Sequence, residues 1–248
     1  MWLPITAMVV APGLAWIWAL LHWNRNQRPQ FRLLLRLFLG GNLCGLLALL
    51  LNHLVEKYTR FWPGAPADFG ILGWDWSLSR SGFWLLIGAN EEFAKLVALL
   101  LLSYVFGRLR NPAEGMVQAG AVALGFATIE NAFYLDQYGP AVLITRTIIT
   151  LPAHAFMSMP MGYLLGKSAL RLYREDGAVP DQYREMWSVL GAWLVAFLLH
   201  GTYDLWLSLN HEVLAYAQIG GMALLSLWLL RRSQHEHEVP PLLTSSRA

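Results

Sequence analysis

Seven stretches of about 20 predominantly apolar residues, at 2–21, 33–55, 82–106, 115–135, 141–165, 186–209 and 213–230, run through this 248-residue chain. Each is long enough for a helix to cross the hydrocarbon core of a bilayer, roughly 30 Å thick. The apolar residues come as continuous blocks, not in the period of two or 3.6 that a water-soluble core requires. Backbone in lipid must satisfy its own hydrogen bonds, which a helix does within one segment. Composition points the same way. Hydrophobic residues make up 56% and charged residues 14%, against roughly 45–50% and about 25% in soluble proteins. The predicted fold class is all-α, a polytopic membrane protein with about seven transmembrane helices. It reads as one integral-membrane domain over 1–232, with its chemistry in about 82–209 and a disordered polar tail over 233–248.

The formal charge of +2 and the scattered basic residues give no reason to expect a nucleic-acid partner. The single cysteine, Cys44, excludes a disulfide framework and a thiolate metal cluster and reads as a small buried hydrophobe. The first apolar stretch lacks a basic leader and a small-residue cleavage site, so it is expected to be a retained helix. Arg25, Arg28 and Arg32 in the first connection, Arg108 and Arg110 in the third, Lys167, Arg171, Arg174 and Arg184 around the fifth, and Arg231 and Arg232 predict those segments to be cytoplasmic. The N-terminus is then outside and the C-terminus inside. The Trp-rich 56–81 connection reads as interfacial, and the fifth as room for a helical extension. His235 and His237 in the tail could bind a metal, but a solvated tail explains them better.

Ionisable groups near the middle of a membrane helix cost at least about 2.5–3.5 kcal/mol and usually mark a polar interior site. Glu91, Glu92 and Lys95 interrupt the third stretch, Glu130 and Asn131 the fourth, Arg146 and His154 the fifth, and His200 and Asp204 the sixth. At about 1.5 Å per residue, Glu91 lies about 14 Å and His154 about 20 Å from the outer ends of their helices, and Glu130 and His200 about 8–14 Å. One layer can hold all four. Glu91 and Lys95, four apart, share a helix face, and Glu92 is rotated from Glu91 by about 100°. The two acids are therefore expected to do different work. His200 and Asp204 are also four apart, which predicts that Asp204 orients the imidazole, with Gly201 leaving room for a close neighbour.

Hydrolysis in a membrane needs water, a base, and an electropositive group for the oxyanion. Glutamate can be that base, and histidines with further carboxylates are zinc ligands. The same residue types also suit proton-coupled transport. Structural explanations exist too: interhelical glue for Glu130 and Asn131, a satisfied core histidine for His154, a counter-charge for Arg146, and packing for Asn42, Asn52 and His53. Gly162 and Gly166 read as close packing within the monomer.

Asn90-Glu91-Glu92-Phe93-Ala94-Lys95 resembles the EExxK motif of the PrsW family of intramembrane proteases, and Phe126-Ala127-Thr128-Ile129-Glu130-Asn131 its FAxxEN motif. Pro152-Ala153-His154 with Gly162-Tyr163, and His200-Gly201-Thr202-Tyr203-Asp204, resemble its P-x-H…GY and HGxYD segments. The resemblance implies a protease of the bacterial cytoplasmic membrane that cuts membrane-anchored, single-pass proteins such as anti-sigma factors. The same resemblance implies a place in a wider clan with the CAAX prenyl endopeptidases and bacteriocin-processing proteins. The resemblance also implies that Glu91 and Glu92 are essential and that His200 lies at the reaction centre. Both a metallo-type and a glutamic-type mechanism have been ascribed to the family.

The expectation carried forward is an intramembrane endopeptidase with Glu91 or Glu92 as base. His154 and His200, the latter oriented by Asp204, would stabilise the oxyanion or hold a divalent metal, zinc by its ligands. Glu130 would complete the site or the metal sphere, supported by Lys95, Asn131 and Arg146. Glu92→Gln is expected to leave folding nearly intact and abolish cleavage. A proton-coupled transporter or channel is the alternative, and a non-catalytic scaffold a third possibility.

Overall fold

The computed structural model describes residues 2–24, 31–59, 69–71, 74–76, 78–104, 109–174 and 181–235. Its helices are α1 (Trp2–Trp23), α2 (Phe31–Thr59), α3 (Leu78–Leu99), α4 (Pro112–Tyr138), α5 (Val142–Thr145), α6 (Leu151–Arg174), α7 (Gln182–Ser208) and α8 (Glu212–His235). A π-helical turn, Leu100–Tyr104, extends α3, and a second, Arg146–Thr150, joins α5 to α6. With α5 and α6 taken as one rod, these helices match the seven apolar stretches one for one. Five of the rods are long and apolar enough to cross a membrane. The other two, α3 and α4, contain Glu91, Glu92, Lys95, Glu114 and Glu130, so the helices richest in site residues are also the least lipid-like.

The long second connection holds a short antiparallel hairpin, β1 (Phe69–Ile71) with β2 (Trp74–Trp76), in which Phe69 faces Trp76 in register. The rest of that connection, at 60–68, 72–73 and 77, lies outside the described residues, so its expected interfacial position does too. Helix α6 continues to Arg174, as expected for the fifth connection, and α8 runs three residues into the predicted tail. The remainder of the tail, with His237, lies outside the described residues.

Local chemistry sets several helix ends. Asn111 caps α4 by accepting from the Glu114 amide at 2.8 Å, and Pro112 follows where its missing N–H costs nothing. Gly139, at φ 78°, stops the same helix in a backbone conformation that disfavours a side chain. Asp181 caps α7 by accepting from the amides of Tyr183 and Arg184.

Helix α4 is the hub, buried along its whole length from Pro112 to Thr128 and packed on α1, α2 and α6. Lipid offers no hydrophobic drive for helices to associate, so close van der Waals fit does that work. A Cβ on Gly41 would sit 2.1 Å from the Val122 carbonyl oxygen, and one on Gly125 2.0 Å from that of Phe38. Gly115 and Gly162 approach as closely, and Gly166 packs on Asn111, so the paired glycines do serve contacts within the monomer. The outward side of α2 exposes Leu39, Leu43 and Leu50, a surface suited to lipid and hazardous in water.

Helix α3 packs on α2 and α7, α4 on α2 and α6, and α6 on α7, which closes a ring around the polar residues. The α3–α7 seam is tightest at Gly88 and Gly201: a Cβ on Gly201 would lie 2.8 Å from the Leu85 Cα, and one on Gly88 2.5 Å from the Gly201 nitrogen. The room expected at Gly201 is therefore filled by α3 itself. Gly201→Ala must separate the two backbones, an overpacking cost of about 1–3 kcal/mol. The expected outcome is a melting temperature several degrees lower in detergent, read by thermal unfolding, with Gly220→Ala in open space as the unaffected control.

Candidate functional site

Glu91, Glu92 and Lys95 of α3, Glu130 of α4, His154 of α6 and His200 of α7 are all buried and meet in one network. Its centre is Glu92. Its Oε1 lies 2.6 Å from Lys95 Nζ and 2.8 Å from His200 Nδ1, and its Oε2 accepts from Ser158 Oγ at 2.7 Å. Lys95 also reaches His154 Nδ1 at 3.1 Å and lies 4.3 Å from the centroid of the Phe126 ring, so its ammonium is satisfied on every side within protein.

The pairing corrects one expectation. Lys95 pairs with Glu92, three residues away, and not with Glu91, four away. Both offsets fall on one side of a helix, the first about 60° round and the second about 40°. Glu92 points toward α6 and α7, and Lys95 follows it. The two acids do diverge, as their rotation required.

Glu91 is in a different situation. Its Oε1 accepts from Asn52 Nδ2 at 2.8 Å, whereas its Oε2 is buried with no hydrogen-bond partner among the described residues. The neighbour of that oxygen is His200 Nε2, 3.5 Å away. A carboxylate can only accept, so Glu92 holds a proton on His200 Nδ1 and turns Nε2 toward Glu91. Asp204 reaches the same Nε2 only at 3.5 Å. The close orienting partner of His200 is thus Glu92, because the buried carboxylate of a facing helix comes nearer than the one a turn along α7.

Glu130 and Asn131 are held by Arg146. The guanidinium gives Nη2 to Glu130 Oε2 at 2.9 Å and Nε to Asn131 Oδ1 at 2.6 Å, and its flat face lies 3.8 Å from the Tyr134 centroid. Arg146 begins the π-helical turn, a feature often found where a helix re-aims a functional side chain. Glu130 Oε2 also contacts His154 Nε2 at 3.0 Å. The two imidazoles meet edge to face with centroids 5.0 Å apart.

Glu91, His154 and His200 could hold a metal ion: one ligand atom from each lies within 4.8 Å of the others. Two imidazoles and a carboxylate are a common catalytic zinc set, with the fourth position left for water. The unpartnered Glu91 Oε2 and the His200 ring fixed by a carboxylate both fit that use. Glu91 takes the place expected for Glu130, whose oxygen is engaged by Arg146 and His154. Both nitrogens of His154 already have neighbours, so a bound ion there would replace one contact.

Sequence reasoning overlooked four contributors. Ser158 lies one turn past His154 and on its face, a signal that the spacing did contain. Phe126 and Tyr134 supply ring faces to Lys95 and Arg146; Phe126 opens the FAxxEN segment, whereas nothing in the sequence distinguishes Tyr134 from a packing aromatic. Asn52, read as packing, binds Glu91 directly, and only the contact between α2 and α3 reveals it.

The sequence profile described as PrsW family intramembrane metalloprotease matches residues 29–230. The Protease PrsW of Shouchella clausii is 37% identical over 152 residues, covering 60% of this chain and 66% of that protein. The Protease PrsW of Geobacillus kaustophilus is 34% identical over 138 residues, 56% of each chain. A Na(+)/H(+) antiporter, NhaA 2 of Vibrio vulnificus, is 28% identical over 193 residues, 73% of this chain and 40% of that protein. The match thus spans less than two thirds of the length of the first relative and about half of the second. No solved structure matches. The five rods long and apolar enough to cross a membrane make this a multi-pass membrane protein, and with the profile extending from the start of α2 almost to the end of α8, the chain belongs to the PrsW family of intramembrane metalloproteases.

Proposed function

We propose that this protein is an intramembrane endopeptidase that hydrolyses peptide bonds of membrane-anchored proteins, single-pass anti-sigma factors among them, with a water held at Glu91. The observation that supports this reading best is the buried, unpartnered Glu91 Oε2 facing His200 Nε2. A water beside both has an acceptor for its proton at Glu91 and a second partner at His200. Glu91 takes that proton as the oxygen attacks the scissile carbonyl and passes it to the leaving amine. The oxyanion falls in a pocket already made electropositive by Lys95, with His154 edge-on to His200. Glu92 serves as the anion that holds Lys95 and His200 in place, and Glu130 with Asn131 and Arg146 braces His154. A zinc ion would be held by Glu91, His154 and His200, with Glu91 then a ligand; the chemistry it would supply is the acidified water that the Glu91 carboxylate activates in its absence.

The chain is placed in the bacterial cytoplasmic membrane with its N-terminus outside, its C-terminus inside, the domain over 1–232 and its catalytic core at about 82–209. Proton-coupled transport suits this geometry less well. Glu91, Glu92, Glu130, His154 and His200 of the four helices gather in one network, whereas a proton path requires a file of such groups across the bilayer.

The test incubates purified protein in detergent with tagged single-pass proteins from its host. Cleavage of at least one within the bilayer segment is expected, together with about one zinc per chain by elemental analysis and loss of cleavage after chelation that added zinc restores. A panel that stays intact throughout overturns the peptidase reading; cleavage unchanged in metal-free protein overturns the zinc.

A further inference from the structure

We propose that Asn52, on α2, is a positioning residue that locks the Glu91 carboxylate with Oε2 turned toward His200. The inference rests on the peptidase reading. A chain of three hydrogen bonds carries it. Asn90 Nδ2 lies 3.2 Å from the Ala48 carbonyl oxygen and 2.5 Å from Asn52 Oδ1, and Asn52 Nδ2 lies 2.8 Å from Glu91 Oε1.

The direction of this chain is fixed at both ends. A backbone carbonyl and a carboxylate only accept hydrogen bonds. Asn90 must therefore present its NH₂ to Ala48, and its other hydrogen goes to Asn52 Oδ1. That leaves the NH₂ of Asn52 facing Glu91. Flipping Asn52 would set oxygen against carboxylate and nitrogen against nitrogen. Both ends of the Asn52 amide are engaged by complementary partners, so the amide holds one orientation and the carboxylate with it. One Glu91 oxygen is tied to α2, and the other is left free at the reaction centre.

Asn42 on the same helix provides the contrast. Its amide donates to Phe38 O of its own helix at 2.9 Å and reaches no site residue. A polar residue of α2 that only satisfies itself looks like Asn42.

Asn52→Leu keeps the branching of the side chain and suits lipid but removes the donor. With a substrate that the wild type cleaves, kcat is expected to fall roughly 10- to 100-fold, the range for losing a hydrogen bond to a charged group, with KM unchanged and the thermal unfolding profile retained. Asn52→Ala, which removes the donor without adding bulk or charge, is expected to show the same loss and serves if the leucine variant does not fold. Asn42→Leu is expected to keep the wild-type kcat. A wild-type kcat in a folded Asn52 variant, or a change confined to KM, overturns this assignment and leaves the peptidase reading standing. A wild-type protein that cleaves nothing overturns both.

Discussion

Replacing Glu91 with glutamine is expected to remove peptide-bond cleavage while the helix bundle stays folded. The side chain keeps its length, its amide oxygen can still accept from Asn52 Nδ2, and no ion pair to Lys95 is lost because Lys95 pairs with Glu92. What disappears is the proton acceptor at the Oε2 position. Positioned general bases contribute about 10²- to 10⁴-fold, so the cleavage rate of a tagged substrate should fall by at least the lower figure. Thermal unfolding in detergent should shift by no more than a few degrees. A glutamine variant that cleaves at the wild-type rate removes Glu91 from the reaction.

Glu92→Gln is expected to behave differently, and here the structure revises the outcome predicted from sequence alone. Glu92 makes three side-chain contacts, to Lys95, His200 and Ser158. Its neutralisation strands a lysine that is 0% exposed. Breaking a buried pair by removing one partner costs about 3–5 kcal/mol, and each 1 kcal/mol moves the melting temperature by about 2–4 °C at this chain length. A drop of roughly 10 °C should accompany the loss of cleavage. Adding Lys95→Met should recover much of the stability, since the pair is then absent as a whole, without recovering cleavage. A Glu92→Gln protein as stable as wild type would show that Lys95 does not depend on Glu92.

Much of the site was legible because cost makes it visible. Charges are so unfavourable in a membrane helix that Glu91, Glu92, Lys95, Glu130, Arg146, His154 and His200 stand out without alignment or coordinates. Counting residues along rods of fixed rise was enough to put four of them at one depth, and the structure joins them through contacts such as Glu92 to His200 and Glu130 to His154. Partner choice within that layer was not legible. Helical spacing set Lys95 beside Glu91 and gave His200 to Asp204. The facing helices decided otherwise, because a carboxylate on a neighbouring rod can approach to 2.8 Å where one on the same helix stays at 3.5 Å.

The amino-acid order by itself determined that this chain lies in lipid as about seven helices, and which charged groups must be sheltered there. Apolar length and the penalty for unpaired charge are properties of a segment and need no neighbours to act. Only the tertiary structure decided that Glu91 presents a free oxygen while Glu92 presents none, and that Asn52, on a helix packed against both α3 and α4, holds the former. Rotation and approach of packed helices, set by contacts as close as Gly88 on Gly201, turn a list of polar residues into a directed constellation.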